Sequence, residues 1–123
     1  MMDIRNFMKV VLAQEERAIR SYFYKDAIIN WHCTNERFTV DEFIVANCEY
    51  PGSWDGTVER IEILDDLYIA VTKVYPQDHS ALFHVVSFVR VKNDKILTLD
   101  EYWADDGNPP QWRLDKHIGT PIQ

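Results

Sequence analysis

Hydrophobic residues near the start of the chain recur at intervals of three and four, the spacing that places side chains on one face of a helix. The members of this stripe are Ile4, Phe7, Met8, Val11, Leu12, Ala18, Ile19, Tyr22 and Phe23. Asp3 can cap the start of the stripe through its carboxylate, and the polar residues 14–16 interrupt it. The pattern therefore predicts two helices, over residues 3–13 and 15–24.

The pattern then changes to a short strand and a third helix. Residues 27–31 are β-branched and aromatic, which predicts a strand, and residues 32–38 are polar enough to form a loop. Thr39 and Glu42 have the spacing of a capping box, and apolar residues follow them. We therefore expect a helix over residues 40–49, ended by a proline-glycine turn.

The second half of the chain alternates between β-type segments and turn-forming residues. The predicted strands cover residues 57–64, 67–75, 81–92 and 95–103. Helices followed by hairpins predict an α+β domain, in which three helices cover one face of a curved, mostly antiparallel sheet.

The last hairpin is defined well enough to predict a register. A two-residue turn at Asn93 and Asp94 would pair Lys92 with Lys95 and continue in steps of two. One face of the hairpin would then carry His84, Val86, Phe88, Leu99, Glu101 and Trp103, and we expect it to be the buried face. The opposite face would meet solvent or a second subunit, and a slip of one residue would exchange the two faces.

Composition narrows the classes of partner. The 123 residues amount to one domain, 1–123, and 13 Lys and Arg against 20 Asp and Glu give a net charge of −7. This charge argues against nucleic acid and anionic membranes as partners. No apolar run approaches the roughly 20 residues of a membrane-spanning helix. The charged N-terminus is unlike a signal peptide, so we expect a cytoplasmic protein with free thiols at Cys33 and Cys48.

Several short segments carry a family resemblance that spans about residues 3–113. They are DAII at 26–29, TNERF at 34–38, YPGSW at 50–54, DKI at 94–96 and EYW at 101–103. Together with the order of helices and strands, they resemble the nuclear transport factor 2-like superfamily and, within it, the SnoaL-like group. The resemblance implies a cone of three helices wrapped by a bent sheet around one pocket, commonly as a homodimer through the outer sheet face. Because the superfamily contains isomerases, cyclases, dehydratases and noncatalytic members, the fold alone cannot name a reaction.

The resemblance to ketosteroid isomerase departs at the positions that carry its chemistry. The tyrosine donor of that family falls on Phe7, the general-base aspartate on Trp31 and the protonated aspartate on Val86. None of these three side chains can do the original task, which argues against isomerisation by that mechanism. Trp103 matches a tryptophan of the isomerase pocket, and Glu101 falls where that family has a small inward residue.

His84 and Glu101 are the candidate catalytic residues. A carboxyl group and an imidazole on one buried face could exchange a proton with an enolisable or dehydrating substrate, without a cofactor. The alternative is a noncatalytic binding or dimerisation module in which the two form a structural pair.

The candidate ligand-binding residues are mostly aromatic, namely Trp31, Tyr50, Trp54, Val86, Phe88, Leu99, Trp103 and Trp112. Tyr50, Trp54 and Trp112 could equally belong to the core.

The four histidines and two cysteines show no metal-binding spacing, and no glycine-rich phosphate loop is present, so we expect no metal and no nucleotide cofactor. Two prolines predict an irregular tail over 105–123, which we expect to cover the cavity or a partner subunit, with 118–123 frayed.

Overall fold

The computed structural model of the chain describes residues 1–122. The elements are α1 (Ile4–Leu12), α2 (Glu16–Ser21), β1 (Phe23–Trp31), a 3₁₀ turn (His32–Thr34), β2 (Glu36–Phe38), α3 (Val40–Cys48), β3 (Trp54–Leu64), β4 (Leu67–Pro76), β5 (Phe83–Lys92), β6 (Lys95–Asp105) and α4 (Gln111–Asp115). They form one six-stranded sheet in the order β2-β1-β6-β5-β4-β3. Only β1 and β6 are parallel. The predicted α+β class and the antiparallel meander are confirmed.

The two helix starts that could be read from the sequence are capped as predicted. Asp3 Oδ1 accepts a hydrogen bond of 3.0 Å from the Asn6 amide at the start of α1. At the start of α3, Thr39 and Glu42 exchange both hydrogen bonds of a capping box, 2.9 and 3.2 Å long. Each pair satisfies helix N–H groups that have no partner within the helix.

The structure has three elements that the sequence pattern did not predict, the first of which is the 3₁₀ turn at His32–Thr34. Residues 36–38, expected to lie in a loop, form the edge strand β2, which pairs with residues 29–31 of β1. The tail is not wholly irregular, because β6 continues to Asp105 and α4 begins directly after Pro110. Proline is tolerated at a helix start, where its missing N–H would have no helical partner. Of the segment expected to fray, 118–123, the last residue lies outside the residues that the structure describes.

A β-bulge at Leu97 changes the predicted register of the last hairpin. Asn93 and Asp94 have φ of 50° and 62°, the left-handed conformation of a two-residue hairpin turn, and Lys92 pairs with Lys95 as predicted. Val91 pairs with Ile96 but the next residue, Arg90, pairs with Thr98, so β6 holds one extra residue. Every later pair is displaced by one position.

The displacement reverses the predicted orientation of β5 but not that of β6. On β6, Leu99 and Glu101 face the helices as predicted. On β5, the buried residues are Val85, Ser87 and Val89, and the partner of Glu101 is Ser87. The prediction that His84, Val86 and Phe88 share the buried face is therefore wrong, since a one-residue slip moves each side chain to the other side of a sheet.

The core fills the end of the sheet covered by α1 and α3. Phe23 lies between Phe7 and Phe43, with ring centroids 5.7 and 5.8 Å apart in edge-to-face contact. Within residues 1–122, no helix combines the length and the apolar composition that crossing a bilayer requires. Cys33 and Cys48 are both free thiols.

Gly56 on β3 provides a test of how closely α1 packs on the sheet. A Cβ atom there would lie 2.5 Å from Leu12 Cδ1 and 2.6 Å from the Lys73 carbonyl oxygen. Because the backbone oxygen cannot move aside, we expect Gly56→Ala to destabilise the protein by about 1–3 kcal/mol in urea unfolding. Gly107→Ala is the matched control, since a Cβ there meets no atom within 4 Å. Equal stability of the two variants would contradict this packing.

Candidate ligand-binding site

A cavity of about 330 Å³ lies between the C-terminal ends of α1 and α3 and the concave face of the sheet. This volume is within the range of small-molecule sites, which begins at roughly 300 Å³. Five aromatic side chains line it, namely Trp31, Tyr50, Trp54, Phe83 and Trp103. The cavity is therefore large enough for a small molecule and mostly apolar.

Three of the aromatic walls support one another. The Trp54 ring contacts Tyr50 on one side, with centroids 5.5 Å apart, and Phe83 on the other, with centroids 5.8 Å apart. The Trp54 indole Nε1 donates a 2.9 Å hydrogen bond to the Pro51 carbonyl oxygen. Gly52, with φ of 99°, supplies the left-handed backbone that the intervening turn needs. The hydrogen bond to the turn and the two ring contacts together fix the orientation of the Trp54 indole.

Two side-chain amides tie the helix ends together beside the cavity. Gln14 Nε2 donates to the carbonyl oxygens of Asn47 and Tyr50, each at 2.8 Å. Asn47 Nδ2 donates back to the Val11 carbonyl oxygen at 2.9 Å. The Asn47 carbonyl oxygen is among the last of α3, which have no partner within the helix, and Gln14 satisfies it. The Val11 carbonyl oxygen also accepts the backbone N–H of Gln14 at 3.1 Å. The pattern of the sequence alone gave no signal for either residue, because the bonds join segments 33 to 36 positions apart.

Glu101 lies behind the aromatic wall and is only 2% exposed. Ser87 Oγ donates a 2.6 Å hydrogen bond to its Oε2, and Trp31 Nε1 donates a 3.2 Å bond to its Oε1. The Trp103 N–H is near the same carboxyl group, although within residues 1–122 it makes no hydrogen bond of standard geometry. Burial raises the pKa of Glu101 above its ordinary value, and the donors Ser87, Trp31 and Trp103 partly oppose that rise.

His84 does not reach Glu101. It lies on the outer face of the sheet, where its Nε2 is 2.9 Å from Asp106 Oδ1. His32, in the 3₁₀ turn after β1, is also at the surface. Its Nε2 is 2.7 Å from Asp100 Oδ1, and its ring stacks on Tyr102. The predicted pairing of His84 with Glu101 is therefore wrong, and the bulge at Leu97 is the reason.

The eight predicted ligand-binding residues divide into four groups. Trp31, Tyr50, Trp54 and Trp103 line the cavity. Leu99 is fully buried in the core, and Trp112 is 59% exposed on α4 and does not line the cavity. Val86 and Phe88 are on the outer face of the sheet.

Ten of the residues that line the cavity were not predicted as part of the site. Among them are Gln14, Asn47, Phe83 and Asp105, which neither motif nor periodicity marks as cavity residues. No three His, Cys, Asp or Glu side chains among residues 1–122 lie close enough together to hold a metal ion.

Solved structures of similar fold cover most of the chain. A proposed ketosteroid isomerase from Kribbella flavida DSM 17836 is 19% identical with a TM-score of 0.77, over 93% of this chain and 82% of that chain. A proposed SnoaL-like polyketide cyclase from Shewanella putrefaciens CN-32 is 10% identical with a TM-score of 0.63, over 78% and 73%. The chain has the nuclear transport factor 2-like fold. The predicted superfamily resemblance is thus confirmed at the level of the fold.

Another protein with this fold was solved with a bound amine. It is a protein with a ketosteroid isomerase-like fold from Catenulispora acidiphila DSM 44928 in complex with trimethylamine, 13% identical with a TM-score of 0.65, over 81% of this chain and 84% of that chain. No protein-family model matches the chain, and no curated protein matches it.

The structure shows where the residues matched to the catalytic positions of ketosteroid isomerase lie. Phe7 is fully buried in the aromatic core and carries no hydroxyl group. Val86, matched to the protonated aspartate of that family, faces outward, although the match requires an inward-facing residue. Its neighbour Ser87 faces inward. Glu101 is therefore the one carboxyl group buried next to the cavity wall within residues 1–122.

Glu101 should make the stability of the protein depend on pH. Because its pKa is raised in the native state, its stabilising contribution is complete below the ordinary value of 4.5 and is lost as the pH rises through the native value. Glu101→Gln stays neutral and keeps an oxygen for Trp31. We therefore expect wild type to lose stability relative to Glu101→Gln as the pH rises, by at most about 1.4 kcal/mol per pH unit.

The measurement is urea unfolding of both proteins from pH 5 to pH 8. Glu49→Gln, at an exposed position directly after α3, is the control for removal of a carboxylate. Parallel curves for wild type and Glu101→Gln would contradict the raised pKa.

Proposed function

We propose that the chain is a SnoaL-like binding protein whose cavity holds one small, largely apolar or aromatic molecule. The observation that carries this proposal is the cavity of about 330 Å³ with walls formed by Trp31, Trp54 and Trp103. Large rigid aromatic surfaces around a concave space supply most of the affinity in small-molecule sites. The trimethylamine complex of a structural neighbour supports the proposal, because it is a protein of this fold with a small organic molecule bound.

The proposal does not extend to catalysis. Cofactor-free proton transfer, dehydration or cyclisation needs an acid or base within hydrogen-bond reach of the substrate. His84 is on the opposite face of the sheet, and Glu101 is buried behind the indoles and does not line the cavity. The geometry favours Glu101 as a positioning residue, which accepts the Trp31 N–H and so holds that indole in the cavity wall.

Filling the cavity should abolish binding. Ala46 on α3 lines the cavity, whereas its neighbour Val45 is 55% exposed and does not. In a panel of small neutral and charged aromatic molecules, we expect compounds that raise the melting temperature of wild type to lose their effect on Ala46→Phe. Ligands that bind only the native state must stabilise it. Val45→Phe should keep the effect. A panel that stabilises none of the proteins, or that stabilises Ala46→Phe as well as wild type, would contradict the proposal.

We also propose that a second copy of the chain covers the outer face of the sheet. Apolar residues of three adjacent strands meet there, namely Ile69, Val71, Val86, Phe88 and Tyr102. Pairs of opposite charge border this patch, including Lys73 with Glu59 and Arg90 with Asp66. A two-fold axis would place the patch against itself and allow both signs of charge to find partners. The superfamily resemblance supports the same arrangement.

Charge introduced into this patch should dissociate the dimer. We expect wild type to sediment with twice the mass of one chain and Phe88→Arg to sediment as a monomer, because a buried unpaired charge in the interface is costly. Ile63→Arg is the control. Ile63 is also partly exposed, but it pairs with Tyr68 and, like Tyr68, faces the helix side of the sheet and not the outer face. A monomeric wild type, or a dimeric Phe88→Arg, would contradict the proposal.

A further inference from the structure

The cavity is built to accept positive charge. We propose that its ligand is an organic cation, with a tertiary or quaternary ammonium group on a small apolar body, and that the cavity selects it over a neutral molecule of the same shape. This inference rests on the proposed function and specifies the chemical class of the ligand. It is carried by three independent features of the lining, which are its aromatic faces, its spare hydrogen-bonding atoms and its charge.

The aromatic walls provide the first feature. The faces of indole and phenol rings carry partial negative charge and attract cations, most strongly those of tryptophan. Three of the four tryptophans in the chain line this one cavity, with Tyr50 and Phe83 beside them. The rings of Tyr50 and Phe83 are inclined to that of Trp54 by 70° and 53°, so they present surfaces in different directions. Rings inclined in this way can surround an ammonium group in place of water.

The hydrogen-bonding atoms of the lining provide the second feature. Most of its N–H donors are already used, because Gln14 Nε2 makes two bonds and the Nε1 atoms of Trp31 and Trp54 make one each. Asn47 Nδ2 is also bonded. Within residues 1–122 the side-chain oxygens of Gln14 and Asn47 accept no hydrogen bond. The Trp103 N–H is unbonded, but it is fully buried beside Glu101 and is not open to a ligand. The cavity therefore offers more free acceptor oxygens than free N–H donors, which disfavours anionic and carbonyl-bearing ligands.

Charge provides the third feature. Of the residues that the structure describes, no Lys, Arg or His lines the cavity, whereas Asp105 does. Within residues 1–122, Asp105 forms no ion pair, unlike the adjacent Asp106, which is paired with His84. The net charge of −7 adds a weaker long-range attraction for cations. An ammonium group between the rings would thus find an unpaired carboxylate at the cavity edge.

Choline and 3,3-dimethyl-1-butanol test the proposal, because they have nearly the same shape and differ in the charge of one central atom. We expect wild type to bind choline about 5- to 30-fold more tightly by titration calorimetry at low salt, the range that aromatic cation binding supplies. Asp105→Asn should reduce this preference severalfold, and added salt should do the same. Asp106→Asn is the matched control, with the same change of charge one residue away, and should keep the preference.

The outcomes separate this inference from the proposed function. If 3,3-dimethyl-1-butanol binds as tightly as choline and Ala46→Phe abolishes both, cation selection is overturned while the binding cavity stands. If panel molecules bind in the cavity but choline does not, cation selection is likewise overturned. Choline binding that survives Ala46→Phe would place the cation elsewhere and overturn the inference. If nothing binds in the cavity, the proposed function itself fails.

Discussion

One extra residue in β6 determines which side chains surround the cavity. The Asn93-Asp94 turn has the left-handed conformation of a two-residue hairpin, and the bulge at Leu97 then shifts the pairing of β5 by one residue. As a result Ser87, and not Val86 or His84, stands beside Glu101 inside the sheet. The same shift moves Phe88 outward, where it contributes to the apolar outer face. The bulge therefore determines which side chains of β5 face the helices and which face outward.

The buried carboxyl group of Glu101 depends on this arrangement. A carboxyl group removed from water is costly unless donors surround it, and the hydroxyl group of Ser87 and the indole of Trp31 are such donors. With valine in place of Ser87, which the unbulged register would have supplied, one of these bonds would be missing. The bond to Trp31 also joins β6 to the end of β1, so the acid connects the sheet to the cavity wall.

The sequence is sufficient to predict those features that depend on neighbouring residues. The caps at Asp3 and Thr39, the three helices and the four long strands follow from periodicity and turn chemistry. The strand β2 and helix α4 are too short, at three and five residues, to produce a periodic signal. The bulge could not be predicted either, because Leu97 resembles any other strand residue. The inward-facing residues were therefore predicted correctly on β6 and incorrectly on β5, and of the three candidates on β6 only Trp103 lines the cavity.

An open cavity needs walls that resist collapse, since a chain gains free energy by packing apolar surface together. Here several parts of the wall are held by hydrogen bonds: Trp54 by the Pro51 carbonyl oxygen, Trp31 by Glu101, and the ends of α1 and α3 by the amides of Gln14 and Asn47. Polar groups of this kind stabilise a fold less than apolar packing of the same volume would. Their concentration around one space is therefore hard to explain by stability alone. It is the arrangement expected where a binding surface must keep its shape before the ligand arrives.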